Sequence, residues 1–110
     1  MREFLERHPF ENELERSRAL AILERAEART GTPCAACASP LRGQEVVESV
    51  VLGYQEHPRC HGCHAAEHGE DPGAFLERMR EYVDRVPCFR ATWSWCGERL
   101  GAIEGEGGDR

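Results

Sequence analysis

Two C-x-x-C pairs, Cys34-Ala35-Ala36-Cys37 and Cys60-His61-Gly62-Cys63, stand twenty-two residues apart. No other feature restricts the folding of this chain as much. Each pair can present two sulfurs to one ion. Zinc asks for four such ligands at tetrahedral angles, each about 2.3 Å from the metal. If both pairs serve one ion, the segment between them must leave the site and return to it. Binding such an ion contributes on the order of 10 kcal/mol to folding, comparable to the whole stability of a small domain. A chain of 110 residues is one domain with one modest core. The spacing therefore predicts a structural zinc site formed by Cys34, Cys37, Cys60 and Cys63.

The same residues admit other chemistry. Cys60-His61-Gly62-Cys63-His64 satisfies the C-x-x-C-H pattern that attaches c-type haem. That reading needs an oxidising compartment and leaves Cys34 and Cys37 without a role. Four thiolates also bind rubredoxin-type iron or an iron–sulfur cluster, and spacing does not separate these ions from zinc. A thioredoxin-like dithiol follows a strand and opens a long helix, whereas Cys34 follows a Gly-Thr-Pro break. His61 and His64 are expected to face solvent or to donate to sulfur, with His64 in reserve as a substitute ligand.

Composition narrows the function classes. The N-terminus, "MREFLERHPFENELERS", is charged throughout and lacks the apolar core of a secretory signal. The expected compartment is a reducing cytoplasm, where disulfides are rare. Apolar runs such as Ala19–Leu23 are far too short to span a bilayer. A net charge of −6 argues against a nucleic-acid reader, which would need a basic stripe. All fourteen basic residues are arginine, so Schiff-base chemistry and a P-loop lysine are excluded. No Ser–His–Asp pattern, carboxylate pair or glycine-rich phosphate loop stands out, and the expectation is a protein that is not an enzyme.

Hydrophobic periodicity gives the elements. Residues 9–29 read as one helix with Pro9 in its first turn and an apolar side of Phe10, Leu14, Leu20, Ala21, Leu23 and Ala28. Gly31 and Pro33 end it. "QEVVESVVLGY", residues 44–54, is rich in β-branched valine and reads as strand, with Val46, Val50 and Leu52 on one face. "PRCHGCHAAEH" reads as a turn feeding a short helix. Asp71 and Pro72 mark a helix start, followed by Phe75, Met79, Tyr82 and Val86 at helical spacing. Pro87 ends or bends that helix, and "CFRATWSWCGERL" reads as a final short helix with Phe89, Trp93, Trp95 and Cys96. Residues 101–110 are glycine-rich and acidic and read as a frayed tail.

Cys88 and Cys96 stand outside the pairs. A lone cysteine is commonly a small buried apolar residue. Cys88 follows Pro87 at a helix start and has Arg85 and Arg90 nearby, which makes it the better candidate for a reactive thiol.

The stretch from "CAACASPLRGQEVVESVVLGY" through "PRCHGCHA" to "YVDRVPCFRATWSW" resembles a little-characterised bacterial family. Its members carry a zinc-ribbon-like module of C-x-x-C pairs ahead of, or encoded near, a TusA-like sulfur-carrier domain. The resemblance spans residues 30–96. It rests on the two pairs, the Val-Val-Leu-Gly-Tyr segment, Pro58-Arg59, and Cys88-Phe89-Arg90-Ala91 before the tryptophans. It implies an accessory module working beside a redox or sulfur-handling protein.

The resulting expectation is an α+β protein with a zinc-ribbon or treble-clef-like module. Residues 1–30 form the N-terminal helix, 31–100 the zinc module with its C-terminal helices, and 101–110 a disordered tail. Its expected work is that of a non-enzymatic zinc protein that binds a protein partner, or a second copy, through the N-terminal helix. The alternatives are a sulfur relay through Cys88 and electron transfer through iron or haem.

Overall fold

A computed structural model of the chain describes residues 2–103. The helix predicted over 9–29 is α2 (Glu13–Arg29), and the single N-terminal helix expected over 1–30 is divided, with a separate short helix, α1 (Arg2–Arg7), ahead of it. The break is set by Asn12, whose side chain accepts from the N–H of Leu14 at 2.8 Å and of Glu15 at 3.3 Å. This is an N-cap, and it satisfies donors that the helix itself cannot. The buried stripe of α2 is Ala19, Ile22, Leu23 and Ala26 at i, i+3, i+4, i+7. Leu14, Ala21 and Ala28, assigned to the apolar side from sequence, are exposed. From α1, Phe4 is buried edge-on against Trp95, with ring centroids 5.4 Å apart.

The largest correction concerns residues 44–54. The valine-rich segment is not a strand but helix α3 (Gly43–Leu52). A strand satisfies its backbone only by pairing with another strand, whereas a helix pairs within itself. Among the described residues the β-structure is a single bridge between Pro33 and Pro40. Every residue from Gly43 to Ser49 is buried, which suits an element needing no sheet partner. The helix penalty of a valine is at most about 0.7 kcal/mol. Fully burying its side chain contributes roughly 1.5–3 kcal/mol, and Val46 and Val47 are both fully buried. Gly53 ends α3 in the left-handed region at φ 92°, where glycine is unstrained.

Three more helices follow: α4 (His61–Glu67), α5 (Pro72–Asp84) and α6 (Pro87–Arg99). Asp71 caps α5 as the sequence predicts, accepting from Gly73 and Ala74. Phe75, Leu76, Met79 and Val83 are its buried face. The described residues thus form an all-α globule of six helices, not the α+β zinc-ribbon or treble-clef-like module expected.

Helices α2, α3 and α6 pack on one another and form the centre of the core. The contact of α3 with α6 depends on two glycines. A Cβ at Gly43 would lie 2.4 Å from Leu100 Cβ, and one at Gly97 would lie 2.4 Å from Gln44 Nε2. Gln44 fills the space beside Gly97, donating to Trp93 O and accepting from Ile103 N, each at 2.9 Å. The first N–H groups of α3 are satisfied from the far end of the chain. Gly43 N donates to Leu100 O at 2.7 Å and Gln44 N to Gly101 O at 3.0 Å. Of the tail predicted from residue 101, Ile103 is buried, and residues 104–110 lie outside the described residues.

Candidate metal centre

The four paired cysteines come together between the loop that follows α2 and the start of α4. The first pair lies in a tight turn. Cys34 N donates to Ser39 O at 2.8 Å, and Ala38 N donates to Cys34 O at 2.9 Å. Ala38 takes the left-handed conformation at φ 70°, which costs a non-glycine residue roughly 1–2 kcal/mol. The second pair is set by α4, with Cys60 at the N-cap and Cys63 in the first turn. Ala35 N donates to Pro58 O at 3.0 Å and ties the two loops together.

The sulfur geometry decides what can bind. Cys34 Sγ lies 3.8 Å from Cys63 Sγ, and Cys37 Sγ lies 3.7 Å from Cys60 Sγ. All four sulfurs lie within 4.8 Å of one another. A disulfide needs about 2.0 Å. A tetrahedron with metal–sulfur bonds of about 2.3 Å has edges of about 3.8 Å. The residues present therefore fit one ion. Thiolate donors suit zinc and mononuclear iron alike.

Cys34 is the innermost of the four, 3% exposed. Burial pushes its thiol up. The N–H groups of Cys60, Cys37 and Ala36 outweigh that and bring it down to about 6. Burial pushes Cys63 up, with the neighbouring thiols adding to it. Four adjacent thiolates repel one another, and a divalent cation is what lets all four ionise together.

The chain matches no known family model, curated protein or solved structure. What can be said of the site comes from its own residues.

Beneath the cysteines lies a buried polar layer that the sequence reading missed. Glu45, Glu48 and Ser49 of α3 face His61 and His64 of α4, and all five are buried. Glu45 accepts from Arg42 N at 2.8 Å, closing the start of α3, and from His61 N at 2.9 Å, fixing the start of α4. His61 Nδ1 lies 2.7 Å from Glu48 Oε2, and its Nε2–H donates to Pro72 O at 2.9 Å. Burial raises the Glu48 carboxyl. Burial lowers His61, but the Glu48 contact outweighs it and the net direction is up. His64 is held neutral, lowered to about 4 by burial first and by Arg59 second. Its Nε2 lies 2.9 Å from Ser49 Oγ.

Neither histidine therefore faces solvent or bonds to sulfur, contrary to the sequence expectation. Both rings join α4 to its neighbours. The haem pattern also loses its parts: Cys60 and Cys63 face the other pair, and the His64 ring nitrogen Nε2 is occupied by Ser49. The signal that could have found this layer is Glu45, Glu48 and Ser49 at i, i+3, i+4, visible only once the segment is read as a helix.

Cys88 and Cys96 are fully buried. Cys88 opens α6 as expected, but its neighbour is an acid: its N–H donates to Glu15 Oε1 at 3.0 Å. Burial first, and Glu15 second, push its thiol up to about 11. Burial pushes Cys96 to about 12. No helix among the described residues is long and apolar enough to cross a membrane.

Proposed function

We propose that Cys34, Cys37, Cys60 and Cys63 hold one structural zinc ion, and that the chain works as a non-catalytic, zinc-stapled module that binds another protein. The observation that carries the metal reading is the 3.7 and 3.8 Å separation of sulfurs from opposite pairs. Four cysteine ligands fill a tetrahedral ion, and a filled site is a structural one, since catalytic zinc keeps an open position. The remaining thiols are buried and held as thiols, which argues against a relay through Cys88.

The partner reading starts from α2. Its stripe of Ala19, Ile22, Leu23 and Ala26 is spent on the chain's own core. Among the described residues, Leu14, 58% exposed, and Tyr82, 49% exposed, are the large apolar side chains left at the surface. The proposed docking side is the first turn of α2 around Leu14, with a sulfur-handling or redox protein as the partner class that the sequence resemblance favours.

Metal analysis of the purified protein together with its visible spectrum tests the metal assignment. One zinc per chain and no visible absorption are expected. A red protein with one iron per chain would replace zinc with rubredoxin-type iron, which the same sulfur tetrahedron accommodates. A folded protein with neither metal would end the metal reading.

A further inference from the structure

The four ligands are unequally protected. Cys34 is buried and takes three backbone N–H bonds on its sulfur. Cys60 and Cys63 are half-buried, and Cys37 is exposed. The side-chain partners of Cys37 are the Ser39 hydroxyl at 3.3 Å and the Cys60 sulfur at 3.7 Å. An exposed thiolate beside a second thiol is the arrangement found in cysteines that sense oxidants. A metal-bound thiolate remains a nucleophile, and Cys37 is the most exposed of the four.

Resting on the metal reading above, we propose that the centre is an oxidant-operated latch, in which a hydroperoxide joins Cys37 to Cys60 and the ion is released. The Cys37 thiolate attacks one oxygen of hydrogen peroxide. The O–O bond breaks, hydroxide leaves, and Cys37 becomes a sulfenic acid. The Cys60 thiolate then attacks the Cys37 sulfur, the S–O bond breaks, and a second hydroxide leaves. Two thiolates have lost two electrons and one peroxide has gained them. Zinc keeps its charge throughout. It is left with Cys34 and Cys63 alone, half its ligands, and dissociates. The two sulfurs must close from 3.7 Å to about 2.0 Å, which they can do once oxidation has taken Cys37 off the ion.

Release has a structural consequence. Helix α4 is seven residues long, well below the length at which a helix persists by itself. Oxidation therefore loosens the segment carrying His61 and His64 and uncovers α3 and Phe75 beneath it.

The test uses the zinc-loaded full chain treated with stoichiometric hydrogen peroxide. Free zinc is read with a chromophoric chelator, and unreduced peptides are mapped by mass spectrometry. The expected result is one zinc released per disulfide, with Cys37 and Cys60 in the linked peptide and Cys88 and Cys96 unmodified. Dithiothreitol with added zinc should restore the starting state. Zinc retained while peroxide is consumed overturns the latch. So does release with a different first pairing, or with sulfinic acid in place of a disulfide; each of these leaves the metal reading standing. A chain that holds no metal before oxidation overturns both.

Discussion

Gly43 and Gly97 line the approach of α3 to α6, and a methyl at either position meets an atom at 2.4 Å, which at Gly97 is only the far end of the Gln44 side chain. At Gly43 the obstacle is Leu100 Cβ, close to the backbone and unable to swing aside. Overpacking of this kind costs about 1–3 kcal/mol, so Gly43→Ala should lower the urea midpoint by that equivalent with an unchanged slope. A second prediction concerns Cys88. Burial and Glu15 push its thiol up to about 11, and the side chain is fully buried. Iodoacetamide at pH 7 should leave it unmodified in the native protein and modify it only after unfolding, as read by mass spectrometry. Rapid native alkylation would reopen the relay reading. At this scale the cluster of four cysteines was legible, because a C-x-x-C turn is a local device whose spacing carries its meaning. The environment of Cys88 was not. Its neighbours in sequence are Arg85 and Arg90, and the group that touches it is Glu15, seventy-three residues away.

Helix α4 shows how an element can depend on what surrounds it. Its seven residues are held by two cysteines at one end and by the bonds of His61 and His64 to Glu45, Glu48, Ser49 and Pro72. With the proposed ion in the cluster, a strong chelator removes the first of these supports. Far-ultraviolet circular dichroism should then report loss of about two helical turns, and Cys63→Ser should reproduce it. Helicity and melting temperature unchanged by chelation would contradict a structural ion. Acid should act like chelator, because the ligands must stay deprotonated to bind and metal is lost as pH falls. The helices opened by strong punctuation were legible: Asp71-Pro72 caps and starts α5 whatever it packs on. Helix α3 was not, since valine favours strands only as a weak prior that burial overrides. Its identity depends on there being no second strand among the described residues to pair with, which no local window of sequence can show.

For the whole molecule, the apolar face of α2 is the part that sequence could not apportion between core and partner. Leu14 contributes little to the core at 58% exposure. Leu14→Glu should therefore change stability by less than about 0.5 kcal/mol while weakening any association, measured by sedimentation. A large destabilisation would place Leu14 in the fold instead. The hydrogen bonds from Gly43 and Gln44 to Leu100 and Gly101 have a further consequence, for the order of events during synthesis. The four clustered cysteines are all available once residue 63 has emerged, but the N–H groups of Gly43 and Gln44 lack their carbonyl partners until residues 100 and 101 arrive. A nascent chain ending before them can bring its two cysteine pairs together and still lack its central helix contact. Such stalled chains should remain protease-sensitive, and resistance should appear abruptly when the last turn of α6 and the residues after it clear the ribosome exit tunnel.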